Sequence, residues 1–187
     1  MNDASLPTGP ASSGDSAERP QDLTTVDQVV EHNREHALAP ERAGSPRPER
    51  RLVIVTCMDT RLDPYKALGL AAGDAHILRN AGGIVTEDVI RSLVLSSHVL
   101  GTRELMVINH TNCGLCNLRE DNLVSELEEA TGRSAVSPAA FYSFSDLQAN
   151  VRRQVRRVHD HPWLSALVAR GFVYDVATGK LDEVDAS

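Results

Sequence analysis

Nowhere in the 187 residues do about twenty apolar residues run together, the length a helix needs to cross a bilayer. The first residues also lack the basic and apolar regions of a signal peptide. A cytoplasmic protein with no membrane partner is expected. Cysteine is scarce: Cys57, Cys113 and Cys116 are too few, and odd in number, for the disulfide framework of a small secreted domain, which leaves metal or catalytic chemistry as their use. An excess of positive charge is missing as well. The formal net charge of −7 sets up no basic field over the surface, which argues against a nucleic-acid partner. No internal repeat is visible.

What is present fits one globular domain preceded by a tail. Residues 1–21 are rich in Ser, Pro, Gly and acids and almost empty of large apolar side chains, so they cannot repay the entropy of ordering and are expected to be disordered. Residues 22–50 supply an N-terminal helix, Thr24 to Ala37, with a Thr cap and Val26, Val29 and Val30 at helical spacing, then a Pro-rich connector. From residue 51 to 187 strands and helices alternate. Strands are predicted at Arg51 to Thr56, Ala75 to Asn80 and Glu104 to Asn109. Helices are predicted at Pro64 to Leu70, at Glu87 to Leu100 with an apolar stripe of Val89, Ile90, Leu93, Val94 and Val99, around Asn122 to Ala130, and at Asp146 to His159. A terminal hairpin turns around Ala177–Thr178–Gly179. Strands recurring after helices predict an α/β fold of three layers, with a central, mostly parallel sheet flanked by helices.

In such sheets the C-terminal strand ends converge on a crevice. Cys57 ends one strand in "VIVTCMDTRLD", and His110 and Cys113 lie just past another in "LMVINHTNCG". Two thiolates and an imidazole form a recognised catalytic zinc shell with one position open, and thiolate with imidazole selects Zn2+ over Mg2+ or Ca2+. A buried cysteine is more often a core filler, and Asp59 with Arg61 would by themselves read as a surface ion pair. The second His/Cys pair makes the shared metal site the stronger reading. Cys116 is read as an unligated thiol. His32, His36, His159 and His161 are read as solvated, and Arg152, Arg153, Arg156 and Arg157 as a wet helix face. A structural zinc protein or binding module, and a redox pair of Cys113 with Cys116, are the readings from other classes.

"CMDTR", "RNAGG" and "HTNCG", in this order and spacing, resemble the β-class carbonic anhydrases, closest to the short-chain branch that also contains carbonyl sulfide and carbon disulfide hydrolases. The resemblance implies Cys57, His110 and Cys113 as zinc ligands, Asp59 and Arg61 as the catalytic dyad, and Asp59 as a possible fourth ligand in a closed state. It implies a homodimer or higher homo-oligomer and a site lined by the Arg79–Asn80–Ala81–Gly82–Gly83 loop. The activity implied is reversible hydration of CO2 to bicarbonate by hydroxide on the zinc, with hydrolysis of carbonyl sulfide or carbon disulfide at the same metal as the alternative. Two positions depart from the family. Ala71 is aligned where relatives carry a Gln that orients substrate, which predicts a more apolar pocket and tilts towards the sulfur substrates. Asn109 precedes the histidine where Gly or His is common.

Overall fold

The structure, a computed structural model, describes residues 24–39, 44–138 and 140–186. The expected disordered tail at 1–21 lies outside the described residues. The chain divides into two units, residues 1–43 and 44–187. In the first, helix α1 (Thr25–Ala37) begins at a reciprocal cap: Thr24 Oγ1 accepts from the Asp27 N–H at 3.2 Å, and the Asp27 carboxylate accepts from the Thr24 N–H at 3.0 Å. Two donors that a helix start leaves unpaired are thereby satisfied.

The second unit is built on strands β1 (Leu52–Cys57), β2 (Ala75–Asn80), β3 (Glu104–His110), β4 (Val168–Tyr174) and β5 (Leu181–Val184), in the order β2-β1-β3-β4-β5. The first four are parallel, and β5 returns antiparallel on β4 as the expected hairpin. The Asp175 carboxylate tightens that turn by accepting from the N–H groups of Ala177 and Thr178 at 2.8 and 2.9 Å. β1 reads as a continuous apolar run because it is central and covered on both faces. β1 and β3 each end one residue beyond their predicted bounds, so His110 closes β3 as Cys57 closes β1.

Side-chain alternation splits the core in two. Val53, Val55, Leu105, Val107 and Ala169 face helices α3 (Glu87–His98) and α5 (Leu147–His159), packing on Val89, Ile90, Leu93, Val155 and Val158. Each such side chain, fully buried, contributes about 1.5–3 kcal/mol over its exposed form. Ile54, Ile108 and Phe172 face the other way, where Leu68 of the short helix α2 (Pro64–Leu68) covers them in part. α2 stops two residues earlier than predicted because Gly69 takes the left-handed conformation at φ 63°. Val99, expected in the stripe of α3, is an exposed C-cap residue, since the chain leaves the helix at His98. The acidic helix α4 (Glu120–Thr131) leads through a loop to α5. α5 lies so close to β4 that a Cβ on Gly171 would collide with Val151 Cγ1. Glycine at 171 is what allows that approach.

The strand order fixes where a site forms. From β1 the chain leaves towards the β2 edge, and from β3 it leaves towards β4, so the connections part between the C-terminal ends of β1 and β3. A crevice opens at such a switch point. Cys57 and His110 stand on its two sides.

Candidate metal centre

Cys57 Sγ, Cys113 Sγ and a ring nitrogen of His110 all lie within 4.8 Å of one another. The three residues are buried, Cys57 at 5 %, Cys113 at 7 % and His110 at 0 % exposure. They are the three positions at which the sequence predicts metal ligands, brought together from β1, β3 and the turn after β3.

His110 shows which atoms would bind. Its Nδ1 lies 2.9 Å from the Thr111 carbonyl oxygen, which only accepts, so Nδ1 carries the proton and donates. Nε2 is then the lone-pair nitrogen, the tautomer that metal-binding histidines adopt when a backbone carbonyl holds the other nitrogen. Among the described residues, this Nε2 is the one buried side-chain polar atom without a hydrogen-bond partner. An orphaned lone pair facing two sulfurs is costly unless an ion satisfies it.

The sulfurs are primed unequally. A hydrogen bond from the Cys113 thiol holds Cys57 well below the usual thiol range; burial opposes this, while His110 and the N–H groups of Asp59 and Gly82 add to it. The Gly82 N–H points at Cys57 Sγ from 3.3 Å. The same pairing, with burial, drives Cys113 up. A dication held there would favour the thiolate form of both. Burial pushes His110 down, yet the Cys57 sulfur, the Thr111 carbonyl and the charges of Cys57 and Asp59 together raise it.

Asp59 sits one step outwards, its Oδ2 3.8 Å from His110 Nε2. Arg61 grips both of its oxygens, Nε to Oδ1 at 2.9 Å and Nη2 to Oδ2 at 2.6 Å, and its N–H adds a third bond to Oδ1 at 2.9 Å. This grip, chiefly its side-chain hydrogen bonds, holds the Asp59 carboxyl far below the usual carboxylate range. Arg61 is itself fixed by the Asn112 carbonyl at 3.0 Å. The "RNAGG" segment closes the wall. Arg79 donates to the carbonyls of Cys57 and Asp59 at 3.0 and 2.7 Å, and Asn80 clamps Ile84 through its N–H and C=O, both at 2.8 Å. Gly82 and Gly83 have φ of 77° and 63°, and a Cβ on Gly83 would come within 3.0 Å of the Cys57 nitrogen. Only glycine permits both that backbone and that approach.

Other residues singled out in the sequence lie away from this cluster. Ala71 is in the turn before β2, its N–H on the Asp74 carboxylate at 2.9 Å, at the sheet edge where Leu52 pairs with Ala75. A six-residue strand separates it from the ligands of its own chain. Cys116 is outside the ligand group; its N–H bonds the Cys113 carbonyl at 3.0 Å. The arginines of α5 do not form a merely solvated face, because Arg153 bonds Asn150, Arg157 bonds Glu87 of α3, and Arg152 bonds the Asp185 carbonyl. Sequence reasoning missed Asn150 and Gln154 on α5. Their signal was present: both stand beside Val151, Val155 and Val158 in the apolar stripe, where a polar side chain needs a buried partner.

The profile of the family described as carbonic anhydrase matches residues 52–181, which include every residue of this site. The chain belongs to the β-carbonic anhydrases. It is 41% identical to beta-carbonic anhydrase 1 of Mycobacterium tuberculosis over 87% of this chain and 99% of that protein. A crystal structure of carbonic anhydrase from Streptococcus mutans superposes with a TM-score of 0.80 at 39% identity, covering 87% of this chain and 99% of that one. A carbon disulfide hydrolase of Acidithiobacillus thiooxidans is 34% identical over 71% of this chain and 76% of that protein. This β-carbonic anhydrase carries a cysteine–histidine–cysteine group able to hold a metal ion, and among its described residues no helix is long and apolar enough to cross a membrane.

Proposed function

We propose that the chain is a zinc enzyme that interconverts CO2 and water with bicarbonate and a proton. The observation that carries this is the orphaned Nε2 of His110, aimed with two sulfurs at one point beside an Arg-held carboxylate. Cys57, His110 and Cys113 would hold Zn2+, since two thiolates and an imidazole suit zinc. Zinc supplies Lewis acidity, making a hydroxide nucleophile available near neutral pH. The other tasks belong to the chain. Asp59, kept ionised by Arg61, accepts a hydrogen bond from the nucleophile and turns its lone pair towards the CO2 carbon. Asp59, with both its oxygens engaged by Arg61, is read as the orienting group, and coordination of the metal in a closed state is its alternative role. The protein is expected to act in the cytoplasm as a homodimer or higher homo-oligomer; similarity to enzymes of this family supports that reading.

Elemental analysis and a paired assay test the proposal. One zinc per chain is expected, lost in the Cys57→Ala, His110→Ala and Cys113→Ala variants and kept in Cys116→Ala. Stopped-flow proton release from CO2 should be fast and sulfide release from carbon disulfide and carbonyl sulfide slow. The reverse ranking would make the chain a sulfur-substrate hydrolase, and stoichiometric zinc without turnover of any of the three would make the metal structural.

A further inference from the structure

Behind the metal centre lies a group of buried amides. Asn109, Asn150 and Gln154 are 1, 0 and 4 % exposed. Asn109 Nδ2 donates to the Gly82 and Gly83 carbonyls at 2.8 and 3.2 Å. Its Oδ1 accepts from Asn150 Nδ2 at 2.8 Å. Asn150 Oδ1 accepts from Gln154 Nε2 at 2.9 Å and from the Arg153 guanidinium at 2.5 Å. Gln154 Oε1 accepts from the Val85 N–H at 2.9 Å. The orientation of every amide follows from the two ends. Carbonyls can only accept and a backbone N–H can only donate, so each side chain has one allowed sense. The chain of bonds starts and finishes on the same loop, residues 82–85, and each bond polarises the next.

That loop carries the Gly82 N–H that points at Cys57 Sγ. Asn109 fixes the 82–83 and 83–84 peptides through their carbonyls, and Gln154 fixes the 84–85 peptide through its N–H, so the run that follows the Gly82 N–H is held from behind. We propose that Asn109, Asn150 and Gln154 are positioning residues that hold the Gly82 N–H on the Cys57 sulfur and so limit how much charge that sulfur gives to a bound metal. Two thiolates formally neutralise a dication and blunt its Lewis acidity; an N–H bonded to sulfur draws part of that charge back. Asn109, one residue before His110, thereby acquires a task. The inference rests on the metal reading above.

Cobalt(II) substitution tests it, because the thiolate-to-cobalt charge-transfer band reports charge on sulfur directly. Asn109→Leu and Gln154→Met remove the amides without adding charge. Both should keep one metal per chain and move the band to longer wavelength, further for Asn109→Leu, since Asn109 bonds the loop directly at Gly82 and Gly83. Ser96→Ala breaks a different buried hydrogen bond, to Thr102, and should leave the band in place. If Asn109→Leu does not fold, Gln154→Met decides. A band unmoved in the folded variants, with only lowered thermal stability, overturns the inference and leaves the amides structural. A parent protein that binds cobalt with no thiolate band overturns the metal reading first, and this inference with it.

Discussion

Asp59 answers two demands at once: it must stay ionised beside two sulfurs, and it must point at a fixed place. Arg61 meets both through three bonds to the carboxylate and one to the Asn112 carbonyl. Asp59→Asn and Arg61→Ala should therefore keep metal and fold and lower CO2 hydration by about 10²-fold; stopped-flow rates beside metal analysis check this. Glu120 is a carboxylate whose task is structural. It accepts from the N–H groups of Phe141 and Ser143 at 3.0 and 2.7 Å, and these bonds, Phe141 first, hold its carboxyl below the usual range. Because the folded value is depressed, the stability it lends the 141–143 loop is complete above about pH 4.3, the unfolded value, and is lost as pH falls through the folded one. Amide-exchange protection at Phe141 and Ser143 should fall in that acid window. In Glu120→Gln the step should vanish, with protection at every pH near the level the wild type reaches below the window.

At the scale of elements, α5 is held at one distance from the sheet by Gly171 under Val151. Gly171→Ala should cost about 1–3 kcal/mol through overpacking, and Val151→Ala should recover part of that in the double variant, a coupling that urea denaturation measures. The same helix shows what is legible in a sequence. Periodicity marks α5, and the alternation of strand and helix marks the parallel sheet, because both signals are local. The ligands are legible because Cys57, His110 and Cys113 close strands or follow them. Asn150 and Gln154 escape such a reading, although they stand in the valine stripe, because their partners lie on β3 and the 82–85 loop, and a side-chain to main-chain bond across 69 residues leaves no local mark. The place of Ala71 is hidden for a related reason: sequence distance from Cys57 does not say that Gly69 ends α2 and that the turn after it lies at the opposite end of β1 and β2 from Cys57.

At the scale of the whole molecule, composition predicts that residues 1–21 are dispensable to the rest of the chain. Removing residues 1–21 should leave metal content and CO2 hydration unchanged, since those residues have too little apolar surface to dock. A soluble truncated protein that lost either property would show a contact the composition does not suggest. A metal held by Cys57, His110 and Cys113 would, by contrast, belong to the folded state. A chelator should lower the thermal midpoint of the wild type and leave that of His110→Ala, already metal-free, where it is.

The pairing of β1 with β3 also sets an order of events in time. Thr56 Oγ1 bonds the Ile108 carbonyl across 52 residues of chain. Cys57, the next residue, joins His110 and Cys113 only after that long loop has closed, whereas His110 and Cys113 are neighbours even in an unfolded chain. Closing long loops is what slows parallel sheets. Metal added at the start of refolding should thus be gripped weakly by the histidine–cysteine half-site and fully only when β1 docks. In a refolding time course with cobalt, the final charge-transfer signal should grow at the rate at which the core forms, whatever the cobalt concentration. A rate that rises with cobalt would mean that the ion itself pulls the two strands together.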